Sequence, residues 1–402
     1  MSNEVFLFDA VRTPRGRGRP GGGLYETKPI DLVTTLLREL EHRNGLDTER
    51  VDDIILGVVN PIGEQGSVLP KIAALSCGWS ERVCGVQLNR FCASGLEAIN
   101  TAAAKVAFGQ SELIVAGGVE SMSRVPMGSD GGPWAEDVAT SIATKFVPQG
   151  ISADLIATLD GVDRAAVDGF ALNSHRKASA ATRAGHFARS MVPVSDTSGL
   201  PILDRDELIR HEATGSALAQ LKPAFDGMGA IGFDAVVQAR YPEVNVISHV
   251  HTAGNSSGIA DGAALVLLGT AEAGRAAGLT PRAKISRGTV TSGDPTMMLA
   301  EPAPVTRKLL KQARLRAEDV DLFEVNEAFA SVVLRCISEL RVDPDLVNVN
   351  GGAIAMGHPL GATGAVLIGT LVDELERRDL KRGLATLCAA GGMGIATLVE
   401  RA

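Results

Sequence analysis

Two cysteines and one histidine stand where the sequence could position groups for nucleophilic chemistry. The first, Cys92, ends an apolar, strand-like run and precedes a predicted helix. Its sulfur is therefore expected to lie near free backbone N–H groups and the positive end of the helix dipole. That setting lowers the pKa of a thiol and favours the thiolate. A small buried cysteine without a chemical role would give the same local pattern.

The other two residues, His358 and Cys388, each lie beside glycine-rich turns. His358 stands in NVNGGAIAMGHPLGATGA, whose glycines allow close approach of the backbone to a ligand. A neutral imidazole within hydrogen-bonding reach of a thiol is the usual base that activates it. Cys388 ends the predicted strand LATLC, where a second thiol could donate and accept a proton. Each residue could instead be structural.

The elements that must position these residues repeat along the chain. An apolar-periodic helix leads into a buried strand that ends at Asn60, and the same order ends at Asn326. Cys92 and His358 each follow their asparagine by 32 residues. This match predicts an internal duplication.

Strands that alternate with helices predict parallel sheets with helices on their faces. We therefore expect an α/β protein with two duplicated halves, residues 1–119 and 273–402, the first completed by about residues 251–272. Residues 120–250 have a looser pattern and are interpreted as an inserted loop domain that acts as a lid. The site would lie where the halves meet, beyond the carboxyl ends of strands.

Composition limits the classes of function. The net charge of −8 argues against a nucleic-acid partner or an anionic membrane surface, because both attract basic proteins. No uninterrupted apolar run is long enough to span a membrane and the start does not resemble a signal peptide, so a cytoplasmic protein is expected. Five cysteines match neither a zinc pattern nor a secreted disulfide framework, and no metal site is predicted.

One local basic cluster departs from this acidic balance. It contains Arg12, Arg15, Arg17 and Arg19, within RTPRGRGRPGGG. The cluster could face a phosphate group or could form a solvated loop.

Six ordered motifs together resemble the thiolase family over essentially the whole chain. They are NRFCASGLEA (89–98), GGVESMSRVP (117–126), TAGNSSGIADGAA (252–264), NEAFA (326–330), NGGAIAMGHPLGATG (350–364) and LCAAGGMG (387–394). The region from LKPAF to SHVHTAGN also resembles degradative members, including thiolase β subunits of bacterial fatty-acid oxidation trifunctional complexes. The resemblance implies the thiolase fold, a five-layered α-β-α-β-α core with an inserted loop domain.

The resemblance also implies an activity. A 3-ketoacyl-CoA would be cleaved by coenzyme A (CoA), a substrate, without a cofactor, as the last step of fatty-acid β-oxidation. Cys92 would be the nucleophile, His358 its base, and Cys388 the acid and base of the second half-reaction. Asn326 would hold a water that forms an oxyanion hole with His358, and the N–H groups of Cys92 and Ala390 would form another. The family usually has glycine at Ala390, so either the backbone suits alanine or this hole is altered.

Other positions are implied to bind the substrate. Ser257 and Lys222 match residues that contact the pantetheine and nucleotide parts of CoA, and the loop domain would bind CoA. Met298 matches a methionine of the acyl pocket in short-chain members. Those members carry a second pocket methionine at Gln149, so this departure indicates a different and roomier pocket. His251 replaces a small apolar residue and is interpreted as structural.

The resemblance implies a homodimer or a dimer of dimers, and an enoyl-CoA hydratase/3-hydroxyacyl-CoA dehydrogenase α subunit is a further candidate partner. Alternative functions are a short-chain acetoacetyl-CoA thiolase, a synthase-type condensing enzyme of the same superfamily, and a non-catalytic acyl-CoA or lipid carrier. Cys388 argues against the condensing enzyme, which has histidine or asparagine there. A dinucleotide oxidoreductase is disfavoured because no GxGxxG follows the first strand.

Overall fold

A computed structural model describes residues 3–402, except for the side chain of Ala135. Its strands are β1 (Phe6–Arg12), β2 (Gly16–Arg17), β3 (Asp53–Gly57), β4 (Cys84–Leu88), β5 (Leu113–Ser121), β6 (Val194–Ser195), β7 (Pro201–Leu203), β8 (Ala260–Gly269), β9 (Ala283–Ser292), β10 (Leu322–Val325), β11 (Arg382–Ala389) and β12 (Met393–Arg401).

The helices alternate with these strands in the two halves of the chain. They are α1 (Pro29–Asn44), α2 (Leu69–Ser76), α3 (Ser94–Phe108), α4 (Pro133–Glu136), α5 (Val138–Thr144), α6 (Gln149–Asp160), α7 (Arg164–Arg183), α8 (Gly215–Ala219), α9 (Asp226–Met228), α10 (Asp234–Arg240), α11 (Ala271–Ala276), α12 (Pro302–Ala313), α13 (Ala330–Leu340), α14 (Ala353–Met356) and α15 (Thr363–Arg377). Within the described residues, none of these helices combines the length and the apolar character needed to cross a lipid bilayer.

The large sheet contains the same strand arrangement twice. Its order is β10-β11-β12-β9-β1-β8-β5-β3-β4, with β2 paired to β8. In the first half, β3 and β5 are parallel, and β8 then pairs antiparallel with both β5 and β1. The second half repeats this pattern with β10 and β11 parallel and β12 antiparallel to both β11 and β9. This repeat confirms the predicted duplication.

Helices cover both half-sheets and separate them. The central helices α3 and α15 contact each other and strands of both halves, whereas α1 and α2 cover the outer face of the first half-sheet. On the opposite side, α12 and α13 pack on the second half-sheet. Alternate residues of β8 face opposite layers: Leu265 and Leu267 face outward, and Val266 and Leu268 face the central helices. Outer helices, the first half-sheet, the central helices, the second half-sheet and the helices beyond it therefore form the expected five layers.

The largest difference between the two halves is one connection. A tight turn joins β11 to β12, whereas residues 122–259 lie between β5 and β8 and contain α4 to α10 and the small β6–β7 hairpin. This insertion is the loop domain of the expected fold. Its predicted limits at residues 120 and 250 remain a prediction.

The basic cluster near the amino terminus is only partly a solvated loop. Arg12 and Arg15 are 2% and 4% exposed, and both pair with the buried Asp206 of the insertion. Burial alone would raise the pKa of Asp206, but the two guanidinium charges outweigh burial and lower that pKa. Only Arg17 and Arg19 face solvent. The first two arginines therefore attach the insertion to the core and cannot form a phosphate-facing loop.

The halves meet backbone against backbone at the amino ends of the central helices. A Cβ atom at Gly118 would overlap the carbonyl oxygen of Gly361, and one at Gly364 would overlap the backbone nitrogen of Leu96. Glycine is therefore required for this approach at both positions.

A buried carboxylate ties the same region together. Glu120 accepts hydrogen bonds from the N–H groups of Val59 (2.9 Å) and Asn60 (3.2 Å) in the first half and of Gly361 (3.0 Å) in the second. The Gln65 side chain donates a further bond at 2.8 Å. One side chain thus fixes the loops that follow β3 relative to the turn that precedes α15.

Candidate active site

Cys92 lies on the strained connection from β4 to α3. The preceding residue, Phe91, has a φ of +47°, which is uncommon for a residue with a side chain. The Ser94 hydroxyl holds this turn by donating to the Phe91 carbonyl (2.6 Å) and accepting from the Arg90 N–H (2.9 Å). Leu360 of the second half packs against Cys92. The sulfur is thus brought to the junction between the halves.

The expectation of a depressed thiol pKa at Cys92 is wrong. Burial raises the pKa of Cys92 to about 11, although a hydrogen bond from the Gln149 side chain and one from the Cys92 backbone lower it. Cys92 is only 7% exposed and lies before the helix, which begins at Ser94. Loss of hydration therefore outweighs the favourable end of the helix. The resting residue is a neutral thiol.

His358 is oriented by a hydroxyl on the next helix. Its Nδ1 lies 2.6 Å from Thr363 Oγ1, and that hydroxyl donates its own hydrogen to the Pro359 carbonyl at 3.0 Å. In this arrangement Thr363 accepts from a protonated Nδ1, which leaves Nε2 unprotonated and able to accept a hydrogen bond or a proton. Burial, with a smaller contribution from the Arg15 charge, lowers the pKa of His358 to about 4. The imidazole is thus a neutral acceptor at neutral pH.

Asn326 lies beside this unprotonated nitrogen. It follows β10, and its Nδ2 donates a long hydrogen bond of 3.4 Å to His358 Nε2. Its Oδ1 is buried and has no hydrogen-bond partner among the described residues. A buried amide oxygen without a partner is costly unless a water or a ligand binds it. The position is suited to an ordered water between Asn326 and a substrate.

Cys388 is the penultimate residue of β11 and is 1% exposed. Burial, followed by the proximity of Cys92, raises the pKa of the Cys388 thiol far above its usual value. The nearby Ala390 is not among the residues with a positive φ, whereas Gly391 has a φ of +78°. The backbone therefore suits alanine at position 390, and the N–H group is retained.

Met298 joins the same apolar cluster as Cys388 and Ala390. It is 1% exposed and has a φ of +41°, so its backbone is strained at this position. Phe329 and Phe91 border the cluster. The structure thus brings Met298 together with Cys388, and Phe91 links this cluster to the one that contains Cys92.

The predicted CoA-contacting residues lie on loops at the edge of this centre. The Ser257 N–H donates to the Ala328 carbonyl at 2.9 Å, and the next residue, Gly258, accepts from the His358 N–H at 2.8 Å. Lys222 is exposed and follows Leu221, which packs against Gly254 of the same glycine-rich loop. Ser257 therefore borders the catalytic candidates directly, and Lys222 lies farther along the loop domain.

A buried polar network anchors α6, the helix that begins at Gln149. Asp154 accepts from His251 Nδ1 (2.7 Å) and His249 Nδ1 (2.8 Å), and His249 Nε2 lies 3.1 Å from Asp234. The His251 ring also packs edge-on against Phe329 at a centroid distance of 5.4 Å. These contacts agree with a structural interpretation of His251.

Sequence reasoning missed the roles of two residues at this site. Thr363 was not singled out, although its spacing of five from His358 places it at the first turn of a helix, where a hydroxyl can face the ring. Gln149 was considered only as a wall of the acyl pocket, but its side chain hydrogen bonds to Cys92. No local pattern could reveal that contact, because it depends on how the insertion folds back.

Known proteins resemble this chain along its full length. The family model described as the N-terminal domain of thiolase matches residues 5–234, and the C-terminal domain model matches residues 279–401. The chain is 40% identical to a 3-ketoacyl-CoA thiolase of Cronobacter sakazakii, over 99% of both proteins. It is 42% identical to a beta-ketoadipyl-CoA thiolase of Pseudomonas aeruginosa, over 100% of both. The crystal structure of a Bacillus anthracis acetyl-CoA acetyltransferase matches with a TM-score of 0.86 and 34% identity, covering 100% of this chain and 99% of that one.

Thr363→Val is expected to reduce kcat/KM for thiolysis by about tenfold or more, because the buried Nδ1–H loses its acceptor and the ring loses its fixed orientation. Thr363→Ser keeps the hydroxyl and should retain most of the activity. Steady-state kinetics of both variants test this, with circular dichroism to check folding. Equal activity of the two folded variants would contradict the proposed role.

Gln149→Met is expected to slow alkylation of Cys92 by about fivefold at a fixed alkaline pH, because the thiolate loses a hydrogen-bond donor. Gln149→Glu should slow it further, since a carboxylate repels the thiolate. The rate is measured by mass spectrometry of the Cys92 peptide after iodoacetamide treatment, with the exposed Cys84 as an internal control. An unchanged Cys92 rate in both variants would refute this.

Proposed function

The chain belongs to the thiolase family of acyltransferases, and we propose that it is a 3-ketoacyl-CoA thiolase that shortens its substrate by one acetyl unit. The observation that carries the proposal is the orientation of His358, whose Nδ1 is bound to Thr363 while Nε2 is left unprotonated and able to act as a base. Two cysteines from opposite halves complete the centre, and the relatives that match the full chain include 3-ketoacyl-CoA thiolases.

In the first half-reaction, the Cys92 sulfur attacks the 3-keto carbon as His358 Nε2 takes the thiol proton. The bond between C2 and C3 then breaks, which leaves an acyl thioester on Cys92 and the enolate of acetyl-CoA. Cys388 donates its proton to the enolate carbon. The neutral resting thiols and imidazole suit this sequence, because each proton moves only as charge develops on the substrate.

In the second half-reaction, the Cys388 thiolate takes the proton of the incoming CoA thiol. The CoA sulfur attacks the acyl carbonyl, and Cys92 leaves and recovers its proton from His358. The N–H groups of Cys92 and Ala390 would stabilise the oxyanion of this step, and a water on Asn326 the enolate oxygen of the first. Donors placed where charge develops contribute about 3–4 kcal/mol each. CoA acts as a substrate, and the scheme needs no cofactor.

A surface cavity of about 660 Å³ is our proposed site for the nucleotide end of CoA. Arg210 and His211 line it, as do Leu218 and Leu221, which pack against the loop that carries Ser257. Lys222 would contact the nucleotide and Ser257 the pantetheine arm. A CoA molecule bound in this way would extend from the loop domain to His358.

We also propose that the protein forms a homodimer through the edge of the first half-sheet. The terminal strand β4 pairs only with β3, and an unpaired edge readily accepts another strand. Beside it, Val86, Ile72 and Leu75 are 38%, 45% and 44% exposed. A second apolar surface, Val138 and Ile142 on α5, would join two dimers.

Light scattering coupled to size exclusion tests the assembly. A dimer or tetramer is expected, and Leu75→Glu should shift it toward smaller species. A monomeric wild-type protein would refute the dimer.

Coexpression with an enoyl-CoA hydratase/3-hydroxyacyl-CoA dehydrogenase α subunit, followed by size exclusion, tests for a trifunctional complex. Co-elution of the two proteins would support the complex, and separate elution would argue against it.

The proposed activity is tested by the CoA-dependent loss of the enolate absorbance of 3-ketoacyl-CoA and by intact-mass spectrometry. The wild type should form an acyl adduct that CoA removes. Cys92→Ser should lose the adduct and at least about 10⁴-fold in turnover, and Cys388→Ser should be much slower. Cys77→Ser, remote from the site, should remain active.

The outcome also separates the alternatives. Activity on long chains supports a fatty-acid-degrading thiolase, whereas activity confined to acetoacetyl-CoA would identify a short-chain enzyme. A folded wild-type protein that neither forms the adduct nor turns over any substrate would favour the non-catalytic acyl-CoA or lipid carrier.

A further inference from the structure

A second cavity, of about 350 Å³, is lined by residues that are all different from those of the proposed CoA site. Its wall includes Trp134, Lys145, Arg240, Asp294 and Gly391. The volume lies within the range of pockets that hold small organic groups. The composition is unusual for a pocket that would take a plain alkyl chain, because it includes two cationic side chains.

Two residues of the cavity wall lie next to residues of the catalytic cluster. Trp134 lines it and also packs against Phe91, the neighbour of Cys92, at a ring-centroid distance of 6.0 Å. Gly391 directly follows Ala390, whose N–H is assigned to an oxyanion hole. These contacts place the cavity near an acyl chain that would be carried on Cys92.

The positive charge of the cavity is not fully neutralised. Arg240 Nε pairs with Asp294 Oδ2 at 2.9 Å, and the other oxygen of Asp294 accepts from the Thr296 N–H at 2.8 Å. Lys145 has no ion-pair partner within the described residues, and its carbonyl is held at the wall by the Thr296 hydroxyl at 3.1 Å. The wall of the cavity therefore carries two cationic side chains and one carboxylate, so its net charge is positive.

The helix that leads to Lys145 is capped by a carboxylate at its start. Asp137, which begins α5, accepts from the Thr140 N–H at 2.7 Å and so caps that helix. Lys145 ends the same helix with a φ of +52°, which fixes its backbone at the cavity rim. The Lys145 ammonium group is therefore available to a ligand.

We propose that this cavity is the acyl-tail subsite and that Lys145 and Arg240 make it select 3-ketoacyl-CoA substrates whose tail ends in a carboxylate. The inference rests on the proposed thiolase function and specifies its substrate class. Trp134 would contact the methylene groups of a short tail, and the two cations would bind its anionic end. A charge-assisted hydrogen bond to a carboxylate is stronger than any contact that a terminal methyl group can make there.

The test compares two 3-ketoacyl-CoA substrates of equal carbon number, one ending in a carboxylate and the other in a methyl group, with acetoacetyl-CoA as the substrate without a tail. The wild type is expected to favour the carboxylate substrate in kcat/KM by about tenfold. Lys145→Met removes the charge at similar length and should abolish most of this preference.

Two further variants make the result specific. Lys145→Glu should reverse the preference, because it repels a terminal carboxylate. Lys311→Met removes a charge from the exposed surface of α12 and should preserve the wild-type preference.

Equal kcat/KM for the two long substrates in the wild type, or an equal loss for both in Lys145→Met, would overturn the subsite and leave the thiolase function intact. Failure of the wild type to cleave any of the three substrates would overturn the proposed function and the subsite together.

Discussion

The close contact between the two halves is the constraint on which the site depends. Gly118 and Gly364 allow the turn at Gly361 and the start of α15 to lie directly against the backbone of the first half, where any Cβ would overlap. Glu120 then binds N–H groups from both sides of the junction. Since α3 follows Cys92 and α15 follows His358, their facing amino ends determine where the two residues meet. Duplication alone would give two similar halves, and it is this contact that places residues from both halves in one site.

Desolvation has the largest electrostatic effect at that centre. It raises the pKa of both catalytic-candidate thiols and lowers the pKa of His358, so no charge rests on them at neutral pH. An uncharged site binds an acyl thioester without the need to remove water from a thiolate. The hydrogen bonds of Thr363 and Gln149 acquire their importance here, because in a dry site a single donor or acceptor fixes a tautomer or stabilises a developing charge.

The insertion between β5 and β8 provides what the duplicated core lacks. The pair of Arg12 and Asp206 attaches it to the first strand, and the contacts of Asp154 with His249 and His251 hold α6 so that Gln149 reaches Cys92. The same segment supplies walls for both cavities, one beside the glycine-rich loop and one beside Gly391. The core thus carries the proposed reacting groups, and the insertion surrounds them with the surfaces that would distinguish one acyl-CoA from another.

The sequence by itself determined the duplicated α/β halves, the family and the candidate reacting residues, because equal spacings and ordered motifs are local properties of the chain. It did not determine the direction of the Cys92 pKa shift, since a helix start can be read from sequence but burial cannot. The burial of Arg12 and Arg15 was likewise decided by Asp206, almost two hundred residues away. The contact of Gln149 with Cys92 and the cations beside Gly391 also arose only in the tertiary structure. Each depends on how the insertion packs against the core, and packing between distant segments leaves no periodic signal in the sequence.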